Sequence, residues 1–153
     1  NKFTDQRGSL WSSYQSSVFN AELGHEFQIL HDKYAINRKG ALRGVHGDFS
    51  SWKLVTVLLG NVFQVFVDNR KDNDTYLSYD AVELNDNDHL SILLGPGIGN
   101  GFLSLTEGSI YNYKLYYPGS YLDSDQQFTL KWNDPQIGIE WPIAPSIISE
   151  RDK

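Results

Sequence analysis

Few side chains in this sequence could carry a proton at neutral pH. There are four histidines, His25, His31, His46 and His89, and no cysteine. His46 has the most suggestive neighbours. It sits in Leu42-Arg43-Gly44-Val45-His46-Gly47-Asp48, ahead of an apolar run that begins at Lys53. If Gly44 and Gly47 let the backbone approach a ligand closely, one imidazole and the cations Arg43 and Lys53 converge. That set suits a substrate with a phosphate group and a proton to be moved. The plain alternative is a hydrogen-bonded sheet histidine beside a surface arginine, and local sequence leaves both open.

Two other stretches could contribute. In Tyr111-Asn112-Tyr113-Lys114-Leu115-Tyr116-Tyr117, a period of 2 puts Tyr111, Tyr113 and Tyr117 on one face. A phenol can donate a proton, or simply cover half-wet sheet. Near the end, Asp152 could orient a histidine, although chain ends tend to fray. Gly95-Pro-Gly-Ile-Gly-Asn-Gly101 fits neither nucleotide-loop pattern and reads as a loop between strands. The acidic run Asp68–Asp74 lacks the closing Glu of a calcium loop and reads as a solvated turn. His46-Gly-Asp48 is the one short pair of ligand types, with no second histidine at ligand spacing, so no metal is expected.

The rest of the chain must position these groups. At 153 residues the length suits one domain over 1–153, with no need of a disulfide or metal to hold a core. The formal charge of −6 argues against nucleic acid or an anionic membrane as the main partner. No apolar run reaches the ~20 residues of a membrane span, and no signal-peptide pattern is present. The sequence begins at Asn1 without Met, which points to a trimmed terminus, and a cytoplasmic soluble protein is expected. With 4 Trp, 9 Tyr, 8 Phe and no Met, composition favours strands.

Lys53–Leu59 and Val62–Asp68 flank Gly60-Asn61 and read as a two-residue hairpin, apolar on both faces. Tyr79–Leu84 and His89–Leu94, joined by Asn85-Asp-Asn-Asp88, read as a second hairpin, and Ser109–Tyr117 as a further strand. Helical pattern is weak, with a turn or two expected in Glu22–Leu30. The expected architecture is an all-β sandwich or jelly roll.

Ten segments in order resemble one family. They include Asp5-Gln-Arg7-Gly8, Lys39-Gly-Ala-Leu-Arg43-Gly-Val-His46, Trp52-Lys53-Leu-Val, and Gly60-Asn-Val-Phe-Gln-Val-Phe-Val-Asp68-Asn-Arg70. Asp74-Thr75-Tyr76, Gly97-Ile-Gly-Asn100-Gly-Phe102, Tyr113-Lys114, Trp132-Asn-Asp-Pro135, Ile139-Glu-Trp141-Pro142 and Ser149-Glu-Arg-Asp152 continue the series. Together they resemble the nucleotide-sugar 3,5-epimerases of the dTDP-4-dehydrorhamnose 3,5-epimerase type, which have a cupin jelly roll. The resemblance implies His46 as base, Asp152 as its orienting carboxylate, Tyr113 as acid on the opposite sugar face and Lys53 as the enolate's partner. It implies Arg7 and Arg43 on the diphosphate, no cofactor, and a homodimer that exchanges an N-terminal strand, which is expected to be missing here.

The departures from the family pattern direct the finer reading. Gly47-Asp48 follows His46 where the family has Tyr-Gln, Asn100 replaces a histidine, and His31-Asp32-Lys33 replaces Gln-Asp-Asn. Gly47-Asp48, Gly99-Asn100 and Trp132-Asn-Asp together resemble the subgroup acting on GDP-4-keto-6-deoxy-heptoses in capsular polysaccharide synthesis. That resemblance puts Asn100, Tyr111, His31, Lys33 and Trp132 at the substrate and makes GDP-heptose the first reading. A dTDP-4-keto-6-deoxy-hexose is the second. Rivals are a carbohydrate-binding sandwich using Trp11, Trp52 and Trp132 as stacking platforms, a metal-dependent cupin oxygenase, and a sugar 3,4-ketoisomerase.

Overall fold

In the computed structural model, residues 2–26, 28–116 and 126–153 are described. The N-terminal strands β1 (Lys2–Asp5) and β2 (Gly8–Trp11) pair only with each other. A short helix, α1 (Ser16–Leu23), follows. The rest of the described chain is strands: β3 (His31–Asn37), β4 (Ala41–Gly47), β5 (Trp52–Leu59), β6 (Asn61–Asp68), β7 (Tyr79–Asn85), β8 (Ser91–Leu94), β9 (Ile98–Ser104), β10 (Ser109–Tyr116), β11 (Phe128–Leu130) and β12 (Ile147–Ile148). They form a four-stranded sheet, β3-β10-β5-β8, and a six-stranded one, β11-β4-β9-β6-β7 with β12 added beside β4. The pairs are antiparallel except β12 with β4. This is the cupin-type jelly roll of the family resemblance.

Both expected hairpins are overturned. β5 pairs with β10 and β8, whereas β6 pairs with β7 and β9, so Gly60 carries the chain from one sheet to the other. Gly60 has φ of 80°, and a Cβ there would lie 2.3 Å from Thr106 Oγ1. Likewise β7 and β8 lie in opposite sheets, and Asn85–Asp88 is a corner. Turn chemistry is the same for a hairpin and a sheet-to-sheet corner. A strand buried on both faces fits either, so the local pattern could not separate them.

Three smaller expectations also change. Only the start of Gly95–Gly101 is a turn, because β9 begins at Ile98. Gly99 and Gly101 lie inside that strand, where a Cβ would come within 2.7 and 2.9 Å of the Val45 side chain on β4. The helix falls at Ser16–Leu23 rather than in Glu22–Leu30, stopped by Gly24 in the left-handed region with its N–H on Asn20 O. Residues 70–74 of the acidic run form the expected exposed turn, but Asp68 at its start is buried. It accepts from Arg70 three times, once from the backbone N–H and twice from the guanidinium, and from Asn73 and Thr75. The Arg70 guanidinium above all holds its carboxyl far below the usual range. Tyr117 lies outside the described residues.

Two apolar layers hold the sandwich. Val55, Val57 and Tyr111 of the smaller sheet meet Val62, Leu84 and Phe102 of the larger between the sheets. Val45, Val65 and Val67 point the other way, where Ile137 and Trp141 cover them. The 131–142 segment is therefore a lid on the outer face of the larger sheet. Burying such side chains stabilises by roughly 1.5–3 kcal/mol each relative to exposure.

A candidate active site between the sheets

The site starts with a bulge. β4 pairs Arg43 with Phe102 and His46 with Asn100, so three steps along β4 match two along β9. The extra residue re-phases the strand and puts Arg43 and His46 on the same inward face, which regular alternation would forbid. Thr129 of β11 sits opposite His46 on the other side. Thr129, His46, Asn100 and Phe66 thus form one row across the larger sheet. From the smaller sheet, Tyr111, Tyr113 and Leu115 of β10 face the same interior, with Lys53 of β5 opposite Leu115. The space enclosed is a cavity of about 520 Å³, lined among others by Arg43, His46, Lys53, Asn100, Tyr113 and Arg151.

The chain end is tied down rather than frayed. Ile147–Ile148 adds to β4, and the turn Glu150–Asp152 buries Asp152. Asp152 Oδ2 accepts from Gly44 N at 3.2 Å and Ser149 Oγ at 2.7 Å. Oδ1 lies 2.7 Å from His46 Nε2 and pairs with the ring. Only glycine fits at 44, since a Cβ would come within 2.3 Å of Asp152 Oδ1. The carboxylate keeps the ring proton on Nε2, leaving the lone pair on Nδ1, 3.0 Å from Thr129 Oγ1.

Burial is the main cause that lowers the His46 pKa below its ordinary value. Asp152 opposes this, and the cations Arg151 and Lys53 add to it. The net result is a neutral imidazole at pH 7, the form that can accept a proton. Asp152→Asn should therefore lower the His46 pKa further, read from the ring-proton shift against pH. An unchanged midpoint would mean that the carboxylate does not act on the ring.

Lys53 is buried, and its Nζ donates to His46 O at 3.0 Å. Burial lowers its pKa to about 8; Asp48 opposes the shift and Arg151 adds to it. Tyr111 is sealed in, its hydroxyl donating to Gln64 Oε1 at 2.6 Å, and burial pushes its pKa far up. That phenol is a structural donor and a poor acid. Tyr113 lies two residues on, half-buried and lining the cavity.

The structure brings together His46, Lys53, Asp152, Tyr113, Tyr111, Asn100 and Arg43. Arg43 Nε donates to Asn37 Oδ1 at 2.7 Å. Other expected site residues lie elsewhere. Arg7 is on the exposed β1–β2 turn, paired with Asp5 at 2.6 Å. Trp132 belongs to the segment over the outer face of the larger sheet, its carbonyl accepting from Trp141 Nε1. His31 and Lys33 occupy the edge strand opposite Leu115 and Tyr113 and do not line the cavity. Trp11, Trp52 and Trp132 have separate neighbours and share no stacking surface: Trp11 packs on His89, Trp52 on His25.

Sequence reasoning missed Thr129, Arg151 and Gln64. Arg151 stood inside a quoted segment without a role. Thr129 and Gln64 had no local signal beyond strand alternation. Among the described residues, no three His, Asp or Glu side chains gather in a metal-ligand cluster. No described helix is long and apolar enough to cross a membrane.

Known proteins resemble this chain in sequence and in fold. The family profile of dTDP-4-dehydrorhamnose 3,5-epimerase matches residues 1–153. A dTDP-4-dehydrorhamnose 3,5-epimerase of Methanothermobacter thermautotrophicus is 35% identical over 99% of this chain and 82% of its own. The enzyme of that name from Salmonella typhimurium is 32% identical over 93% of this chain and 78% of its own. Among solved structures, dTDP-6-deoxy-D-glucose-3,5-epimerase of Legionella pneumophila, in complex with dTDP-4-keto-L-rhamnose, superimposes with a TM-score of 0.90. It is 29% identical and covers 99% of this chain and 81% of that one. ChmJ, a 3'-monoepimerase from Streptomyces bikiniensis in complex with dTDP-quinovose, gives 0.91 at 26% identity, over 99% and 77%.

Proposed function

This chain belongs to the dTDP-4-dehydrorhamnose 3,5-epimerase family and is an isomerase, and from that premise we propose that it inverts C3, C5 or both of a dTDP-linked 4-keto-6-deoxyhexose. The observation that carries the reading is His46 on one sheet, paired with Asp152 of the C-terminal turn, and Tyr113 on the other sheet, around a cavity that Lys53 also lines. The relatives' names support dTDP over the GDP-heptose reading that the sequence departures put first. The departures at Gly47-Asp48 and Asn100 keep GDP-4-keto-6-deoxy-heptose as the competitor in the test.

The chemistry follows from the ketone. A carbonyl at C4 acidifies the hydrogens on C3 and C5, because loss of either gives an enolate. Neutral His46 takes the proton, and Asp152 stabilises the imidazolium that results. Lys53 places positive charge at the developing oxygen anion. Tyr113 returns a proton from the opposite face, and the stereocentre inverts. Arg43 and Arg151, both lining the cavity, supply cations for the diphosphate.

The proposal extends to one domain over 1–153, acting in the cytoplasm as a homodimer without a bound cofactor. Phe3 and Leu10 of the β1–β2 hairpin are 60% and 73% exposed, which suits contact with a second copy. Arg7 on that hairpin would then serve the partner's diphosphate, and not its own chain's. The test is NMR in D2O with dTDP-4-keto-6-deoxyglucose and, separately, GDP-4-keto-6-deoxy-heptose. Deuterium should enter C3 or C5 of the first. Uptake by the heptose alone would restore the GDP reading, and uptake by neither would overturn the function.

A further inference from the structure

Gln64 has no place in that chemistry, yet it is fully buried beside the cavity. Its Nε2 lies 3.0 Å from Val65 O and 2.9 Å from Gly101 O, and both partners are backbone carbonyls. That fixes which end of the amide is nitrogen, since the reverse would set an oxygen against two carbonyl oxygens. The opposite end, Oε1, accepts from Tyr111 OH at 2.6 Å. The same Nε2 stands 2.7 Å from Asn100 Oδ1, so its two hydrogens serve three acceptors. Tyr111 OH also points at Asn100 Oδ1, at 3.3 Å.

The consequence falls on Asn100. Gln64 Nε2 donates to its oxygen at 2.7 Å, and turning the amide over would press NH2 against NH2. Its Nδ2 has no partner among the described residues, and it is not among the buried polar atoms without one. Asn100 lines the cavity and lies directly opposite His46 in the strand register. Lys53 Nζ is fixed on the His46 carbonyl. Two donors therefore flank the base, one an ammonium and one a neutral amide.

We propose that Gln64 is a positioning residue that locks the Asn100 amide with its N–H groups toward the cavity, where they donate to the enolate oxygen alongside Lys53. This rests on the epimerase reading above. The lock matters because an unheld amide could turn its oxygen toward an anion. Preorganised donors lose most of their value when they must reorient during the reaction.

Two measurements test it. The first needs no substrate and no variant other than Asn100→Ala, used for assignment. Side-chain amide hydrogen exchange should show the Asn100 Nδ2 protons exchanging readily with solvent and the Gln64 Nε2 protons protected. Equal protection of both would place the Asn100 amide inward and overturn the proposal, even if the dTDP sugar proves to be the wrong substrate. The second is a double-mutant cycle on deuterium uptake. Gln64→Met should lower kcat about tenfold with KM little changed, and Asn100→Ala by at least as much. The double variant should be no slower than Asn100→Ala alone, because Gln64 acts only through Asn100. Multiplying effects, or a Gln64→Met variant at the parent's kcat, would overturn it.

Discussion

Solvent-deuterium uptake into the ketosugar should vanish in His46→Asn, by a factor of about 10²–10⁴ or more. The parent ring is neutral because burial outweighs the pull of Asp152, and it is the one imidazole lining the cavity among the described residues. Asparagine keeps a polar side chain opposite Asn100 and Thr129 but has no basic nitrogen at neutral pH. Substrate binding should survive, because Arg43 and Arg151 are untouched. Uptake near the parent rate would remove His46 from the mechanism, and lost binding would make it a structural residue.

Lys53→Met should lower kcat by about 10²–10³ while leaving the fold at least as stable. The parent lysine is buried, with its pKa pushed down to about 8, chiefly by desolvation. Folding therefore disfavours its charged form. That penalty is full below pH 8, where folded and unfolded chains both hold the proton. It fades as pH rises from about 8 towards 10.5, where only the unfolded chain keeps the proton, so stability rises with pH through that window. Methionine removes the penalty, so the variant's melting temperature should exceed the parent's near pH 7, with the gap narrowing by pH 10. The parent's activity should fall above about pH 8 as the ammonium deprotonates, and the variant should lack that limb. A sharply lower melting temperature would recast Lys53 as a prop for the His46 carbonyl.

Residue order names four side chains that the structure gathers around one cavity, but not the geometry that gathers them. Ten ordered segments carried the family, and with it His46, Lys53, Tyr113 and Asp152. The bulge that aims both Arg43 and His46 inward was invisible, because spacing of three on a strand predicts opposite faces. Hairpin and corner share the same turn residues, so sheet membership of β5 to β8 was lost. The subgroup resemblance places Trp132 at the substrate, whereas its segment covers the far side of the larger sheet. Arg7 lies on an exposed turn, paired with Asp5 and away from the cavity, which its place in a family segment does not reveal. Gln64 and Thr129 are ordinary residues in sequence and acquire meaning only from strand register.

At the centre of the account is a proton that leaves from one face of the sugar ring and returns to the other. The most direct measurement uses Tyr113→Phe in D2O and follows, in one NMR series, deuterium entering the starting sugar and formation of the inverted product. With the base intact and the acid removed, exchange should continue at a rate near the parent's while inversion falls by about 10²-fold or more. If inversion and exchange both persist at the parent's rates, Tyr113 is not the acid, and the facing arrangement of imidazole and phenol is not the catalytic one.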